Sequence, residues 1–406
     1  MNATIGDRIR HLREFRDITQ EELASHAHVS VDTIRKLEQN RRQSARIDTL
    51  RALARALDVE LERLLGQPTV TQQLSSDDGG LLALRDAIQD VGALPGVLVE
   101  QDVEDPPAPD AWMEEVKAAT SLYWEGNYAE LSSVTPLLLR DGRAVAREAQ
   151  GSIAERVWRQ LGLAYQLAAS LATQSGHPDW AFAAVEKQLA AAQKASDPLL
   201  EGMGVSTLSW VLLRQGRWEH AQSVAEQKAD ALEPRSMRRA RPAELAVHGN
   251  LLLAAATPAA RRDRRSEARN LLNLAEVSAT RSGPVRAYGS AFSVMDVKTQ
   301  QVNIALAGRN SEPDEALTLA GSVDLAAIER PVHAASHRLD VAHARYQTGD
   351  ADGALVDLLD IEEDQPQWIR YQTLAAATVR EMLEAERRRN TELRGLAARL
   401  GVDPTL

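Results

Sequence analysis

A short junction recurs along the last three quarters of the chain and limits the folds that are open to it. Each copy has a helix end, a glycine or polar turn, an aromatic or acidic residue, and then an alanine-rich stretch. The copies lie 50, 40, 47, 45 and 41 residues apart when they are anchored on Gly126, Gly176, Gly216, Asp263, Gly308 and Gly349. A period of this length is typical of stacked helix pairs, because one pair cannot bury its apolar face alone.

The region from about residue 111 carries no strand signal, since alanine and leucine dominate and β-branched runs do not occur. Residues 158–165, WRQLGLAY, match the start of a tetratricopeptide repeat through Trp158, Leu161, Gly162 and Tyr165. The other copies match only at the junction, and their spacing exceeds the standard repeat length. We therefore expect an all-α chain in which residues 111–406 form a tetratricopeptide-like right-handed α-solenoid.

The N-terminal segment alternates short helical patterns with short breaks. Thr19 and Glu22 have the spacing of a capping box at the start of a second helix, and Ser30 is placed to cap a third. Only residues 28–30 separate these two helices, which is the spacing of a helix-turn-helix motif. Asn40 follows the third helix where a left-handed residue is expected. Two further helices, IDTLRALARAL and ELERLL, complete a predicted five-helix domain over residues 1–66.

The stretch TQEELASHAHVSVDTIRKLEQNRR resembles the Xre/Cro type of helix-turn-helix regulator, whose fold is lambda-repressor-like. Asn40 departs from the glycine that is usual in that family. The resemblance implies that Gln20 contacts phosphate. It places the other DNA contacts of the third helix at Ser30, Val31, Asp32, Thr33, Arg35 and Lys36. The backbone contacts implied after that helix are Arg41, Arg42 and Arg46.

Asp32 is unusual among these residues, because phosphates repel a carboxylate unless it accepts a hydrogen bond from a cytosine amino group. We therefore interpret it as a specificity residue. Two alternatives stay open at this point. Arg41, Arg42 and Arg46 could be a solvated surface, and some domains of this type bind protein instead of DNA.

The net charge of -11 does not argue against DNA binding. Residues 1–66 carry 12 basic and 11 acidic side chains, whereas the other 340 carry 35 and 47. A DNA-contacting helix needs only a local positive face. The chain has no cysteine and no apolar stretch of the length that a membrane span or signal peptide needs. We expect a cytoplasmic protein without membrane contact.

Residues 67–110 are polar and proline-rich apart from one helical stretch, LLALRDAIQDV. We interpret this segment as a linker with one short helix. As a hinge it would set the separation of two DNA-binding domains in a homodimer.

Polar residues occur at helical spacing within three stretches of the repeat region. They predict an effector site on its concave side. The candidates are Glu244, His248, Asp296, Gln300, Asn303, His333, His337, Arg338 and Asp340. A groove lined by amides, histidines and a few charges suits a peptide or a small polar molecule. The alternative is ordinary wet surface. Trp180, Trp210, Trp218 and Trp368 could form a ligand cage, although packing at repeat junctions is the more common use of such residues.

No metal-binding or catalytic motif stands out, so we expect no cofactor and no enzymatic activity. The whole architecture resembles the peptide-responsive regulators grouped as the RRNPP family and actinobacterial Xre regulators with similar C-terminal regions. The resemblance implies a homodimeric transcription factor on double-stranded DNA, whose effector changes the spacing or angle of its two DNA-contacting helices. The alternative is a scaffold whose repeats bind a partner protein or mediate dimerisation, with the N-terminal domain only anchoring it to DNA or to a protein.

Overall fold

The computed structural model of the protein describes residues 4–16, 18–41, 45–57, 59, 64, 78–90, 106–386 and 390–404. Over these residues the secondary structure is helical apart from one short hairpin, which confirms the all-α prediction. The first four helices are α1 (Ile5–Phe15), α2 (Gln20–Ala27), α3 (Val31–Glu38) and α4 (Ile47–Ala56). Their buried branched side chains form one small core, which includes Ile9, Leu23, Ile34 and Leu53.

The predicted caps of the helix-turn-helix motif are confirmed. Thr19 Oγ1 accepts from the backbone N–H of Glu22, whose carboxylate accepts from the N–H of Thr19 in return. Ser30 caps α3 by accepting from the N–H of Thr33, and three residues separate α2 from α3 as expected. The predicted fifth helix lies outside the described residues except for Leu64, which is helical and buried.

Asn40 has the left-handed backbone that the sequence predicts, with φ of 54°. Its side chain also joins α3 to the start of α1. Thr4 Oγ1 donates to Asn40 Oδ1 at 2.6 Å, and Asn40 Nδ2 donates to Asp7 Oδ1 at 3.3 Å. A glycine at this position would allow the turn without these two bonds.

Helix α5 (Asp78–Ile88) lies in the segment predicted as a linker, and it packs against the repeat region. Leu84 and Ile88 are fully buried in the largest core of the protein. Arg143 fixes the end of α5, because its Nε lies 3.0 Å from Asp90 Oδ2 and its Nη1 donates to the carbonyl of Ala87. The linker is therefore held to the repeats at its middle.

The repeat region consists of helix pairs. The first pairs are α6 (Pro109–Glu125), α7 (Tyr128–Glu148), α8 (Gly151–Gln174), α9 (Pro178–Lys194), α10 (Pro198–Arg214), α11 (Trp218–Ala231), α12 (Pro242–Arg261) and α13 (Arg265–Ser282). A hairpin follows, made of β1 (Val285–Ala287) and β2 (Ser290–Phe292). The later helices are α14 (Val294–Ala305), α15 (Pro313–Ala320), α16 (Pro331–Gln347), α17 (Ala351–Asp364), α18 (Pro366–Ile369), α19 (Thr373–Ala385) and α20 (Thr391–Arg399), with a 3₁₀ turn at Leu325–Ala327.

The first helices of successive pairs pack side by side and close into a ring. Helices α6, α8, α10, α12, α14 and α16 each contact the next in this order, and α16 contacts α6. One apolar core accordingly joins side chains of α6–α9 to side chains of α16–α20. Between the two ends, the backbone N–H of Ala129 donates to Gln367 Oε1 at 2.9 Å. The predicted helical array is therefore closed on itself around a central space.

Two details explain the close stacking of the pairs. All six residues that anchor the sequence junctions have positive φ, between 60° and 97°, so each helix pair turns at the position that the sequence marks. Gly162, in the tetratricopeptide-like stretch, faces Leu200 on α10. A Cβ at Gly162 would lie 2.8 Å from Leu200 Cδ2, so a larger residue would push α8 and α10 apart.

The β1–β2 hairpin corrects the expectation that no strand occurs after residue 111. Gly283 and Pro284 end α13, and the strands then pair antiparallel with Ala287 opposite Ser290. Tyr288 and Gly289 form the two-residue turn with φ of 51° and 71°, as the right-handed twist of a tight hairpin requires. The tip reaches across the ring, because Gln166 Nε2 on α8 donates to the carbonyl of Tyr288 at 3.2 Å.

Candidate functional site

The exposed face of α3 carries the charged residues predicted to contact DNA. Asp32, Arg35 and Lys36 share this face because they are three or four residues apart on one helix. Asp32 Oδ2 and Lys36 Nζ form an ion pair at 2.7 Å, and their side chains are 61% and 54% exposed. Val31 and Thr33 are half-buried, and Val31 packs against the domain core. Asp32, the predicted specificity residue, is thus paired with Lys36, which is itself a predicted base contact one helical turn away.

Gln20, predicted to contact phosphate, takes part in a buried network at the end of α3. Its Nε2 donates to Glu38 Oε2 at 2.7 Å. Arg13 on α1 donates to both carboxylate oxygens of Glu38, at 2.7 and 3.0 Å. The Glu38 side chain is only 3% exposed, so it joins α1, α2 and α3 from within. The sequence gives no signal for this role beyond the residue types.

The three arginines predicted to contact the DNA backbone lie in different places. Arg41 is exposed just after α3. Arg46 is exposed at the start of α4, where it lines a cavity of about 610 Å³ together with Tyr346 and Glu381 of the repeat region. Arg42 lies outside the described residues.

A central cavity of about 410 Å³ occupies the inside of the ring, and all six inner helices contribute to its lining. The structure brings six of the nine predicted effector residues to this cavity: Asp296, Gln300, Asn303, His333, His337 and Asp340. Four aromatic or polar side chains that the sequence does not single out also line it, namely Tyr123, Gln166, Arg330 and Gln372. Tyr123 and Gln166 lie within α6 and α8, whereas Arg330 and Gln372 are the N-cap residues of α16 and α19.

The other three predicted effector residues make contacts of their own. Glu244 accepts from the backbone N–H of Arg241 and so caps α12. His248 is buried with its Nδ1 3.3 Å from Ser278 Oγ on α13. Arg338 pairs with Asp364 of α17. These contacts fix helix ends and helix pairs.

Asp296, Arg330 and His333 form a charged cluster on the cavity wall. Arg330 Nη2 donates to Asp296 Oδ1 at 2.8 Å and to the carbonyl of Ala291 in the hairpin. Burial alone would raise the pKa of Asp296, but the nearby His333, whose Nδ1 lies 3.7 Å from Asp296 Oδ1, and the charge of Arg330 outweigh it and lower that pKa. Burial and Arg330 lower the pKa of His333. The cluster therefore has an ionised acid, a cationic arginine and a neutral imidazole at neutral pH.

Asp340, on the same cavity wall, has its pKa shifted in the opposite direction to that of Asp296. Burial raises its pKa to about 6, although the amide of Asn303 and the charges of Arg261 and Arg51 oppose this shift. Asn303 Nδ2 donates to both of its oxygens, at 3.0 and 3.3 Å. On the same helix, burial lowers the pKa of His343 to about 3. The ring thus buries ionisable groups where the charged form is disfavoured.

His337 is the clearest unsatisfied group in this wall. It lines the central cavity, and only 4% of the residue is exposed. Its Nδ1 is buried and has no hydrogen-bond partner among the described residues. A buried polar atom without a partner costs free energy that a bound molecule could recover.

Helix α4 of the N-terminal unit covers one end of the ring. A second cavity of about 350 Å³, the junction cavity, lies between α4 and the ring and shares Trp210, Asn303 and Asp340 with the central cavity. The Arg55 guanidinium carbon lies 4.3 Å from the centre of the Trp218 ring. The backbone N–H of Ile47 donates to Glu381 Oε1 at 3.2 Å. The N-terminal unit and the ring are therefore in direct contact.

Of the four tryptophans considered as a ligand cage, Trp210 and Trp368 both line the central cavity. Trp180 stacks on His177 with ring centres 3.7 Å apart, and Trp368 is 3% exposed in the main core. Trp210 also lines the junction cavity, and the Trp218 ring makes a cation–π contact with Arg55. Over the described part of the chain, no group of three or more acidic or histidine residues is arranged to hold a metal ion. Helices long and apolar enough to cross a membrane are also absent from that part.

Comparison with known proteins identifies the N-terminal domain. Residues 4–65 match the family described as a helix-turn-helix domain. No curated protein gives a significant match. Among solved structures, the chain is similar to PlcR of Bacillus thuringiensis in complex with the peptide PapR7 and DNA. That match is 12% identical, covers 86% of this chain and 99% of PlcR, and has a TM-score of 0.34.

The N-terminal unit is therefore a helix-turn-helix domain, the class that places its second motif helix in the major groove of DNA. The remainder of the described chain is a helical repeat region.

Proposed function

We propose that the protein is a homodimeric, sequence-specific DNA-binding transcriptional regulator controlled by a peptide or small-molecule effector in its central cavity. The observation that carries the DNA-binding part is the exposed face of α3 within a matched helix-turn-helix domain. Lys36 and Arg35 can donate to guanine O6 and N7, and Asp32 can accept from a cytosine amino group.

The Asp32–Lys36 pair gives this surface a way to discriminate. Away from DNA the two charges neutralise each other at little energetic gain, because both side chains are solvated. On the correct base step the ion pair breaks, Lys36 donates to a guanine and Asp32 accepts from a cytosine amino group. On an incorrect step Asp32 would face phosphates or acceptor groups, which costs affinity.

The buried Glu38 network supports the same function by fixing the angle of α3. Arg13 and Gln20 hold Glu38 from α1 and α2, so the three helices move as one body. A rigid element keeps side chains in the geometry that contact with base edges needs.

The effector part of the proposal is supported by the composition of the central cavity. Its volume of about 410 Å³ is within the usual range for small-molecule pockets. The unsatisfied Nδ1 of His337 and the amides of Gln300 and Asn303 offer partners for a polar ligand or a peptide backbone. A homodimer belongs to the proposal because helix-turn-helix proteins commonly bind two half-sites one helical turn apart.

DNA binding is tested by selecting an operator from random duplexes and measuring its affinity by fluorescence anisotropy. Replacing Arg35 and Lys36 by alanine should weaken specific binding by about tenfold to several hundredfold at 150 mM salt. Lys117→Ala, which removes an exposed charge of the repeat region, is the matched control and should bind as the parent protein does. Retention of specific binding by the double variant would reject the assignment of α3.

The effector part is tested by the response of DNA binding to a fractionated cell extract. Asn303→Ala and His337→Ala should abolish that response while native mass spectrometry shows an unchanged subunit count. Gln227→Ala, an exposed amide on α11, serves as the control. A normal response from both cavity variants would reject the central cavity as the effector site.

A further inference from the structure

Two helices line the central cavity from opposite sides of the ring. Helices α10 and α16 are the third and the sixth of the six inner helices, so they lie across the cavity from each other. Each contributes polar and apolar side chains to the lining: Met203, Ser206 and Trp210 from α10, and Val332, Ser336 and His337 from α16. A molecule in the cavity can therefore contact both helices.

The charged side chains of the described lining all have partners within the protein. Asp296 Oδ1 accepts from Arg330 Nη2 at 2.8 Å. Asp340 accepts from Asn303 Nδ2 with both carboxylate oxygens. Arg214, at the end of α10, also takes part in an interaction within the protein. These groups are already matched before a ligand enters.

The two histidines of the lining add no charge. Burial lowers the pKa of His333 and of His337, and the charge of Arg330 adds to the effect at His333. Both imidazoles are therefore neutral at pH 7. An ion that entered this space would lose part of its hydration without meeting an unmatched opposite charge in the described lining. That loss costs much more for an ion than for an uncharged polar group.

The hydrogen-bonding groups that remain open to a ligand are uncharged. The Nδ1 atom of His337 is buried and has no partner among the described residues. The hydroxyls of Ser206 and Ser336 line the same cavity and make no hydrogen bond within that part of the chain. Neutral imidazole and hydroxyl groups pair well with uncharged hydroxyl, carbonyl and amide groups.

The same cavity also offers apolar surface. Met203, Trp210 and Trp368 contribute a thioether and two indole rings to its lining. Apolar walls with a few polar groups are typical of small-molecule sites, and the volume of about 410 Å³ is in their range. The lining therefore matches a small molecule that has an apolar face and a few uncharged polar groups.

We propose that the central cavity binds an uncharged effector, a small molecule with hydroxyl, carbonyl or amide groups and an apolar face, which spans the ring from His337 to Trp210. Compounds with a free carboxylate, phosphate or ammonium group do not bind there, because their desolvation is not repaid. Linear peptides with free termini belong to this group. The inference rests on the proposed function, since it names the chemical class of the effector at the same site.

The test sorts the active compound by its charge. Cell extract is passed at pH 7 over mixed strong anion and cation exchangers, with adenosine monophosphate and arginine added as charged markers and adenosine as an uncharged marker. The flow-through should change DNA binding by the full chain as the whole extract does. It should also raise the unfolding temperature of the full chain, because a ligand stabilises the folded state that binds it. Recovery of the activity only in the salt eluate would overturn the inference.

Two substitutions of His337 test the contact itself. His337→Leu removes the open Nδ1, so about tenfold more flow-through should be needed for a half-maximal response. His337→Gln keeps an uncharged hydrogen-bonding group and should stay within about threefold of the parent protein. The matched control is His220→Leu at an exposed histidine of α11, which should respond as the parent protein does.

His337→Leu should not lower the unfolding temperature of the free chain, because the Nδ1 atom has no partner to lose. A lost response in this variant is then a lost contact with the ligand. An equal response by His337→Leu and the parent protein would overturn the inference.

The outcomes separate the inference from the proposed function. If the activity stays on the exchangers, the uncharged class is rejected and an effector-controlled regulator stands. If no operator can be selected, the DNA-binding part fails, and the rise in unfolding temperature, present in the parent protein and weakened in His337→Leu, still decides the inference. If neither flow-through nor eluate changes DNA binding or the unfolding temperature, the effector and its class are both rejected.

Discussion

The helix-turn-helix domain and the ring place their functional polar groups in opposite environments. Asp32 and Lys36 are more than half exposed and pair with each other in solvent. Asp340 and His337 are 6% and 4% exposed, and burial shifts their pKa values. Solvated side chains change partners at little cost, whereas buried ones are fixed by the desolvation that a rearrangement would bring. The exposed face of α3 is therefore adaptable, and the side chains of the cavity are held in place without a ligand.

The two regions also differ in how their cores are built. The N-terminal core is small and made largely of branched aliphatic side chains. The ring core within α10–α14 is instead about half alanine, with a few large side chains such as Phe292 among them. Single substitutions in each core can show whether the two regions unfold independently.

The largest effect is expected from Phe292→Ala in the hairpin. Phe292 is fully buried, and Gly249 makes room for its ring, since a Cβ at Gly249 would lie 2.0 Å from Phe292 Cζ. We expect the ring region to lose about 3–5 kcal/mol of unfolding free energy. Hydrogen exchange should show lost protection in α12–α14 and unchanged protection in α1–α4.

Leu37→Ala in the N-terminal core is the reciprocal variant, and it should expose α1–α4 while the ring stays protected. Loss of protection in both regions from either substitution would mean that the contact through α4 makes them one cooperative unit. The contrast between two separate cores would then be wrong.

The second prediction concerns the pH dependence that Asp340 gives to the ring. Its pKa of about 6 in the folded chain lies above the ordinary 3.8, so folding favours the protonated carboxyl. That contribution to stability is present in full below about pH 4 and is lost as the pH rises through about 6. The loss amounts to about 3 kcal/mol by pH 8.

Asp340→Asn should therefore match the parent protein in unfolding free energy below pH 4 and exceed it by about 3 kcal/mol at pH 8. Denaturant titrations at five or six pH values measure this difference. His343, whose pKa is lowered to about 3, titrates in both proteins and cancels. A difference that does not change with pH would show that the cavity is wet enough to solvate the carboxylate.

A smaller effect is expected from Asp32→Ala on the adaptable surface. Removing the acid frees Lys36, so nonspecific DNA binding should strengthen and its logarithmic salt slope should steepen by about one. The ratio of specific to nonspecific affinity should fall by about tenfold, the low end for one lost base contact. Anisotropy with selected and scrambled duplexes at several salt concentrations measures both. An unchanged ratio of specific to nonspecific affinity would show that Asp32 pairs with Lys36 but does not contribute to sequence specificity.

The smallest effect is expected from Asn40→Gly. Glycine relieves the left-handed backbone but removes the bonds to Thr4 and Asp7, so the two changes nearly cancel and the net change stays below about 1 kcal/mol. Asn40→Ala keeps the backbone cost and loses the same bonds, so it should be the less stable of the two variants in thermal unfolding. A clear gain in stability for Asn40→Gly would show that these exposed bonds contribute nothing.

Local signals explain why the helix-turn-helix domain could be predicted from the sequence. A capping box involves residues three apart, and the left-handed turn at Asn40 depends on one residue type. The polar stripe of Asp296, Gln300 and Asn303 was equally local, and these three residues do line one cavity. In each case the physical cause and the sequence pattern lie within a few residues of each other.

The remaining features depend on distant contacts. Helix α16 meets α6 because small rotations accumulate over several pairs, and no single junction encodes that sum. The buried pair of Glu38 and Arg13 joins residues 25 positions apart. Arg330 reaches the cavity from the N-cap position of α16, outside the helix that carries the predicted stripe. The hairpin was missed because its strands are three residues long, although Gly-Pro and Tyr-Gly mark its ends.

Closure of the ring has a mechanical consequence. An open superhelix can lengthen or shorten like a spring, and it transmits binding in its groove by a change of pitch. A ring whose ends are joined by Ala129 and Gln367, and which the hairpin braces at Gln166, has no free end to move. A ligand bound inside such a closed ring can displace only elements packed against its open ends. Helix α4 is one of these elements.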